Sequence, residues 1–514
     1  MARSKRFLSA VLLTYTYQGL LMLVGLWLTP FLLKQIGQHD YGVWLIGLQV
    51  LAYLSLVDIG VVALLPRELA YATGRAGGST NSPELPFIFG RTLRIVACQM
   101  PLVILAAAVL WYLFPVPAQF RGFIGLILAA FTLFFPLRIF RATIEGLQDL
   151  KYMGSVTIVA WATGTALMIG LIFAGIGLYA LAIGWAATQL LGAMAFAFRI
   201  WRRFPQVLPA NRSHFSSTGS VEYFKRGFWA SISQIATPLI FGSDILIIGK
   251  VLGAAAVVPY TCTAKLISIL FNQPQALLDA AMPGLSEVKA GESKEHIFRV
   301  TTALTQASLM IAGAVVCAVV VVNQGFVSWW VGPRLYSGLT LTTLIALVML
   351  LRQWNLTLVY SMFCYGLEKR LSLMSLLDGV TTAGVAVGLI YWLGPIGAPI
   401  ASVVSVCVVC LPANLAAVAA QAGSSIPGLL RPLWPWFWRL TALAAAACLL
   451  ARQWAPHGFF QTAATAALAA LAYLGVMLSI GRKSVLWPYI GPRVLPIRDL
   501  LVARLGMAKT EVAG

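Results

Sequence analysis

The stretch YGVWLIGLQVLAYLSLVDIGVVALLPREL, residues 41–69, carries one charged residue, Asp58, along an apolar run that closes in Arg67 and Glu68. As a helix rising about 1.5 Å per residue, its first two dozen residues would extend roughly 36 Å, enough to cross about 30 Å of hydrocarbon. The fold turns on the solvent around such a run, and the rest of the chain identifies it. Of 514 residues, 60% are hydrophobic and only 10% charged, with mean hydropathy +0.86. An average soluble chain is about 25% charged, and at this length it would split into domains that each need a polar coat. There are too few charges to coat them. Runs comparable to 41–64 recur along the whole sequence, which makes the chain a polytopic membrane protein.

Fourteen spans are expected, near 8–33, 41–64, 92–115, 121–140, 153–174, 177–198, 226–250, 257–281, 300–322, 338–364, 371–393, 395–420, 434–452 and 459–481. The first is too long for a signal-peptide core and lacks a small-residue cleavage site, so it is read as an uncleaved span. Backbone groups in lipid must pair within each segment, and these segments are too long for barrel strands, so the fold class is all-α. Net charge is +20. With a cytoplasmic N-terminus, 29 of the 36 Lys and Arg fall in cytoplasmic loops and tails, five (Lys34, Arg121, Lys250, Arg334, Arg452) outside, and two (Lys265, Arg352) within spans. That bias places both termini in the cytoplasm. The basic charge then faces anionic lipid, and nucleic acid is not an expected partner.

Polar interruptions are longest at 65–91, 199–225 and 282–299. FPQVLPANRSHFSSTGSVEYFKRG (204–227) reads as a linker. The expected organisation is an N-terminal six-helix lobe (1–203), a linker (204–225), a second six-helix lobe (226–424), an extra helix pair (425–481) and a basic cytoplasmic tail (482–514). Within that tail, 495–506 has the pattern of a surface amphipathic helix. The lobes share a pattern. FLLKQIGQHDYGVW joins spans one and two, and IIGKVLGAAAVVPYT joins spans seven and eight. Tyr41 precedes Pro66 by 25 residues and Tyr260 precedes Pro283 by 23. Six spans is an even number, so repeated lobes would be parallel, related by a pseudo-twofold axis along the membrane normal.

Those residues also carry a resemblance. Gly37-x-x-x-Tyr41-Gly42, the DIG…PRELA closing span two, SDILIIGKVLG…Y in span seven, Pro283-x-Leu285-Ser286 and YGLEKRLSL after span ten together resemble the polysaccharide-transporter branch of the MOP flippase superfamily. The resemblance covers about residues 1–425. It implies two six-helix bundles forming a V around a central cavity. Through that cavity an undecaprenyl-diphosphate-linked oligosaccharide would pass from the cytoplasmic to the outer leaflet of a bacterial inner membrane, for O-antigen, exopolysaccharide or capsule synthesis. Membrane lipids, polysaccharide polymerase and chain-length machinery are the further partners so implied. Unlike the related lipid II flippases, this chain has no Arg in span one, which argues against a peptidoglycan precursor as cargo.

Charges inside spans are costly and mark cavities or ion pairs. Arg352 lies mid-span in LVMLLRQWNLTLVY, beside Gln353 and Asn355. An unpaired guanidinium there costs at least about 2.5–3.5 kcal/mol, so a wet cavity or a partner is required, and its fork suits phosphate. Arg352, Lys265, Gln353, Asn355, Gln18, Tyr53 and Gln234 are therefore the expected substrate contacts; a structural ion pair or interhelical hydrogen bond is the rival reading for each. Asp58, about 17 residues into span two and so roughly 26 Å along it, is expected near the cytoplasmic mouth with Arg67. Together with Asp244, Asp279 and Asp378 they make up the expected gate or coupling set.

The seven cysteines all fall in spans and the four histidines in loops, so no metal or other cofactor is expected. Two further function classes are weighed. A cation-coupled small-molecule antiporter would favour carboxylates deep in the first lobe, and span one has none. A membrane glycan polymerase or ligase needs reactive groups on a sizeable outer loop. The largest, NQGFVSWWVGPRLYSG, has one Arg and no acid or His, so the chain is expected not to be an enzyme.

Overall fold

The computed structural model describes residues 2–58, 60–77, 79–113, 118–215, 234–270, 278, 294–364, 367–482 and 484–488, with the side chains of 2–18, 113, 118, 212, 213, 296, 364 and 368 outside that description. Every regular element among the described residues is helical. Among the described residues, nine helices are long and apolar enough to cross a membrane, or eleven when two bent pairs each count as one span. Two of the nine runs each take in two expected spans: Lys369–Gln421 contains 371–393 and 395–420, and Gly19–Asp58 covers parts of 8–33 and 41–64. Another expected span corresponds to the shorter helix Ala254–Leu270.

Internal packing divides the chain into two units, Met1–Val258 and Pro259–Gly514. The first holds α1 (Ala2–Leu54), α2 (Val61–Arg75), α3 (Glu84–Leu113), α4 (Ala118–Phe134), α5 (Arg138–Gly146), α6 (Leu150–Phe173) and α7 (Tyr179–Arg203), then α8 (Gln234–Phe241) and α9 (Ser243–Leu252). α10 (Ala254–Leu270) begins at its end. The run α1 breaks at Gly37, whose φ of 82° and ψ of 167° leave the helical region. Gly253, between α9 and α10, has φ 89° and ψ 160°. Two junctions matched by sequence pattern thus share one glycine-dependent backbone turn. Gly42 completes the motif, because its missing Cβ leaves room for the Ala254 carbonyl.

Where the sequence suggests one straight span over 41–64, the helix ends at Leu54. A tight 3₁₀ turn, Ser55–Asp58, and Gly60 at φ 67° lead into α2. Depth counted along an unbroken helix therefore does not apply to Asp58. The expected linker is docked over its described part. Gln206 donates to Thr80 at 3.0 Å, Arg94 donates to the Phe215 carbonyl at 2.9 Å, and the His214 ring meets Phe87 edge-on. Residues 216–233, the segment containing Pro283-x-Leu285-Ser286, and the tail segment 495–506 lie outside the described residues.

In the second unit, α11 (Lys294–Trp330), α12 (Leu339–Cys364) and α13 (Glu368–Leu393) lead to α14. That helix runs from Gly397–Ser405 through a π turn at Val406–Cys410 into Leu411–Gln421. The final pair, α15 (Trp434–Gln453) and α16 (Gly458–Gly481), packs on α11. Small residues make that seam: Gly313 admits the Tyr473 hydroxyl, which donates to the Leu309 carbonyl at 3.2 Å, and Gly325 admits the Pro456 carbonyl.

Candidate functional site

Pro136 ends α4, since proline disfavours helix in the residue before it and removes a backbone donor. The chain then bends 44° into α5. Ile139, Thr143 and Ile144 of α5 are buried, and Gly146 draws the helix against Pro66 and Leu69 of α2. The remaining face presents Arg138, Arg141, Ala142 and Glu145 at spacings of three, one and three. Those spacings place them on one side of a helix. They line a cavity of about 780 Å³ contained within the first unit.

The facing wall is the junction of α1 and α2. Asp58 is 2% exposed. Its Oδ1 accepts the N–H of Val62 in the first turn of α2 at 3.2 Å, and its main-chain carbonyl accepts from Gln99 Nε2 at 2.9 Å. Its Oδ2 lies 3.8 Å from Arg138 Nη2, a separation that gives charge attraction without a hydrogen bond. The Arg138 guanidinium also sits 5.5 Å from the centre of the Phe135 ring. Its Nη1 is buried with no hydrogen-bond partner among the described residues. The side chain as a whole is 38% exposed and lines the cavity, where its charge is available to an anion.

Neutral groups complete the lining: Thr157 from α6, Trp185, Thr188 and Gln189 from α7, and Gln234 from α8. A second cavity of about 470 Å³, lined also by Gln49, Thr237 and Phe241, shares Ala52, Ser55 and Gln234 with the first. The ensemble offers two guanidiniums, two carboxylates, amides and an indole around one void. It is suited to a ligand that is anionic at one end and hydroxyl-rich elsewhere.

Of the expected residues, Asp58 and Gln234 line this cavity. Tyr53 lies just behind, its hydroxyl donating to the Pro238 carbonyl at 2.9 Å and fixing α8 to α1. Arg67 is exposed one helical turn along α2, and its Nε donates to the Tyr71 hydroxyl at 3.1 Å. Asp244 occupies the first turn of α9 and accepts its neighbour Ile245 N–H at 2.8 Å. Lys265 is half-buried on α10 and has no ion pair among the described residues. Gln18, by its side chain, and Asp279 lie outside the described residues.

The cluster expected around Arg352 takes a different form. Arg352 Nη1 donates to Asp378 Oδ2 at 2.9 Å in a pair whose side chains are 6% and 3% exposed. Nη2 reaches Thr382 at 3.4 Å and Ser402 at 3.3 Å. Ser405 donates to both Asp378 Oδ1 and the Asp378 carbonyl, at 2.7 and 2.9 Å. Gln353 donates to Ser308 at 3.4 Å, and Asn355 accepts from Asn414 at 2.8 Å. Arg352, Gln353, Asn355 and Asp378 therefore join helices α11 to α14 and line neither of the two cavities above. The rival reading of these residues is the one the geometry supports, because α13 places a carboxylate within reach of the mid-span guanidinium.

Arg138, Arg141, Glu145, Trp185 and Gln189 were not among the expected contacts. The signal for the first three is present in FPLRIFRATIEG, where charges spaced by three and four alternate with apolar residues after a helix-ending proline. A loop position with excess positive charge hid it.

A family model described as a polysaccharide biosynthesis protein matches residues 119–393, just over half of the chain. No curated protein matches. Among solved structures, the chain is similar to the lipid II flippase MurJ in an inward closed conformation, with TM-score 0.56 at 9% identity over 86% of this chain and 97% of that one. It is also similar to a multidrug resistance MATE family transporter of the MOP superfamily. The inward-facing form gives TM-score 0.55 at 14% identity over 80% and 96% of the two chains, and the outward-facing form 0.50 over the same shares. At these identities the likeness is one of fold.

Proposed function

Because the chain belongs to the polysaccharide biosynthesis protein family and has the fold of MOP-superfamily transporters, we propose that it is a flippase for a prenyl-diphosphate-linked oligosaccharide. The cargo crosses from the cytoplasmic to the outer leaflet of the bacterial inner membrane, with both termini of the protein cytoplasmic. Two six-span lobes (1–203 and 226–424) alternate between conformations, and no covalent bond is made or broken. The observation that carries this reading is the pair of guanidinium side chains, Arg138 and Arg141, on one cavity wall, with the Arg138 side chain 38% exposed. Guanidinium forks match phosphate oxygens in charge and geometry. Gln189, Gln234 and Trp185 offer the amide bonds and apolar face that sugar rings use. The prenyl chain remains in lipid, which already supplies an apolar solvent.

Cation-coupled antiport is the second reading, favoured by the buried carboxylate of Asp58 on the cavity wall. Two guanidiniums beside it repel a cationic cargo, which places that reading lower. Full-length protein reconstituted in vesicles, with a fluorescent undecaprenyl-diphosphate saccharide in one leaflet, tests the choice. We expect the wild type to equilibrate the lipid between leaflets and Arg138→Ala/Arg141→Ala to be at least about ten-fold slower, the loss expected from removing charge-assisted contacts. Inertness of the wild type across a panel of such lipids, or equal rates in the double variant, would overturn the reading. Proton-coupled uptake of a small cation that vanishes in Asp58→Asn would establish the second one.

A further inference from the structure

We infer that Asp58 is a built-in competitor for the anion that Arg138 receives, a specificity-determining residue that holds affinity down so that cargo can leave. This rests on reading the cavity as a diphosphate site. Three features of the α1–α2 junction support it.

The first is distance. At 3.8 Å the Asp58 carboxylate attracts Arg138 but does not hydrogen-bond it. An incoming phosphate oxygen therefore displaces only a charge contact. The second is tethering. The Asp58 carbonyl is held by Gln99 and its Oδ1 by the Val62 N–H, so the residue is anchored by bonds other than the contact with Arg138. The third is a second home for the charge. α2 runs for 15 residues from Val61, and its N-terminus stabilises a carboxylate already bonded to its first turn. With Arg138 taken by a phosphate, Asp58 is not left buried and unsupported.

The other charged groups on the cavity lining are Arg141 and Glu145, on α5 with Arg138. Neither forms an ion pair with Asp58 or Arg138 within 4.0 Å. Among the described residues, Asp58 is therefore the negative charge nearest to Arg138. A bound diphosphate is attracted by Arg138 and repelled by Asp58 at once. The result is a site that prefers anions yet binds them loosely, which suits a carrier that must release its cargo in another state.

Farnesyl diphosphate is a suitable probe, with farnesol as the uncharged control, titrated calorimetrically into the purified full-length chain. Asp58→Asn keeps an oxygen for the Val62 N–H and removes the charge. We expect it to bind farnesyl diphosphate about ten-fold tighter, in the range of typical coupling between neighbouring sites, with farnesol binding unchanged and leaflet exchange slower. Asp58→Ser, which also retains a capping oxygen, provides the same readout should the Asn variant fold poorly. Tighter binding in either variant supports the competitor role. Equal or weaker diphosphate binding in both overturns it. Arg138→Gln separates this from the flippase reading. If it loses the preference for diphosphate over alcohol while the Asp58 variants are unchanged, the anion site stands and the competitor role falls. If Arg138→Gln binds diphosphate as the wild type does, the anion site falls too.

Discussion

Two aspartate–arginine pairs, one in each unit of the chain, show how the same two side chains serve opposite ends. Arg352 and Asp378 meet at 2.9 Å with Thr382, Ser402 and Ser405 closing in around them. Asp58 and Arg138 stand 3.8 Å apart at the wall of a void of about 780 Å³, with the arginine side chain 38% exposed. What differs is contact and space. A pair that is hydrogen-bonded, buried and closed in by hydroxyls is a joint between helices. A pair outside hydrogen-bond range, beside space, is a place for something else to bind.

The largest effect should come from breaking the joint. Removing one partner of a buried ion pair typically costs about 3–5 kcal/mol, because the survivor is left charged and dry. Arg352→Ala and Asp378→Ala are each expected to lose about that much stability when unfolded from detergent micelles, and to accumulate poorly in the membrane. The paired exchange Arg352→Met/Asp378→Leu should recover most of the loss, since it strands no charge. Single variants as stable as wild type but deficient in lipid exchange would return Arg352 to the transport path and erase the contrast.

Arg138→Ala is expected to show the reverse pattern. The Arg138 side chain is 38% exposed and Asp58 keeps the Val62 N–H, so the stability loss should be smaller than the about 3–5 kcal/mol of a fully buried pair while lipid exchange falls at least about ten-fold. Arg138→Lys retains charge without the fork and should fall between. A stability loss matching that of Arg352→Ala would mean the two pairs are of one kind.

The sequence shows plainly that the chain is a helical membrane protein, because hydrocarbon imposes length and apolarity on every span. The family pattern was equally legible: Gly37 and Gly253 mark real breaks because only glycine adopts that backbone cheaply. Arg352, mid-span, requires a wet cavity or a partner and is assigned from the sequence to the substrate; the partner it meets is Asp378, 26 residues on. Which one it meets depends on how α12 and α13 face each other, and that lies in packing. Arg138 and Arg141 were read as topological charge, since a short loop rich in Arg fits positive-inside bias regardless of whether it turns back into a cavity. Only the 44° bend after Pro136 distinguishes the two cases.

The finest test concerns the residues that hold each aspartate. Ser405→Ala removes a donor that serves both the Asp378 carboxylate and its carbonyl. Interhelical hydrogen bonds in membrane proteins average about 0.6 kcal/mol and reach about 1.7, so about 1 kcal/mol of stability should go and exchange should be unaltered. Gln99→Leu removes the donor to the Asp58 carbonyl, but it also removes Gln99 Oε1, which is buried with no partner among the described residues. A lost bond and a relieved orphan acceptor of about 1–3 kcal/mol roughly offset, so unfolding should barely change. The turn that aims Asp58 at Arg138 nevertheless loses its brace, and diphosphate affinity and exchange rate should shift together. In that pairing, stability moves without function at one aspartate and function without stability at the other, which two equivalent joints would not produce.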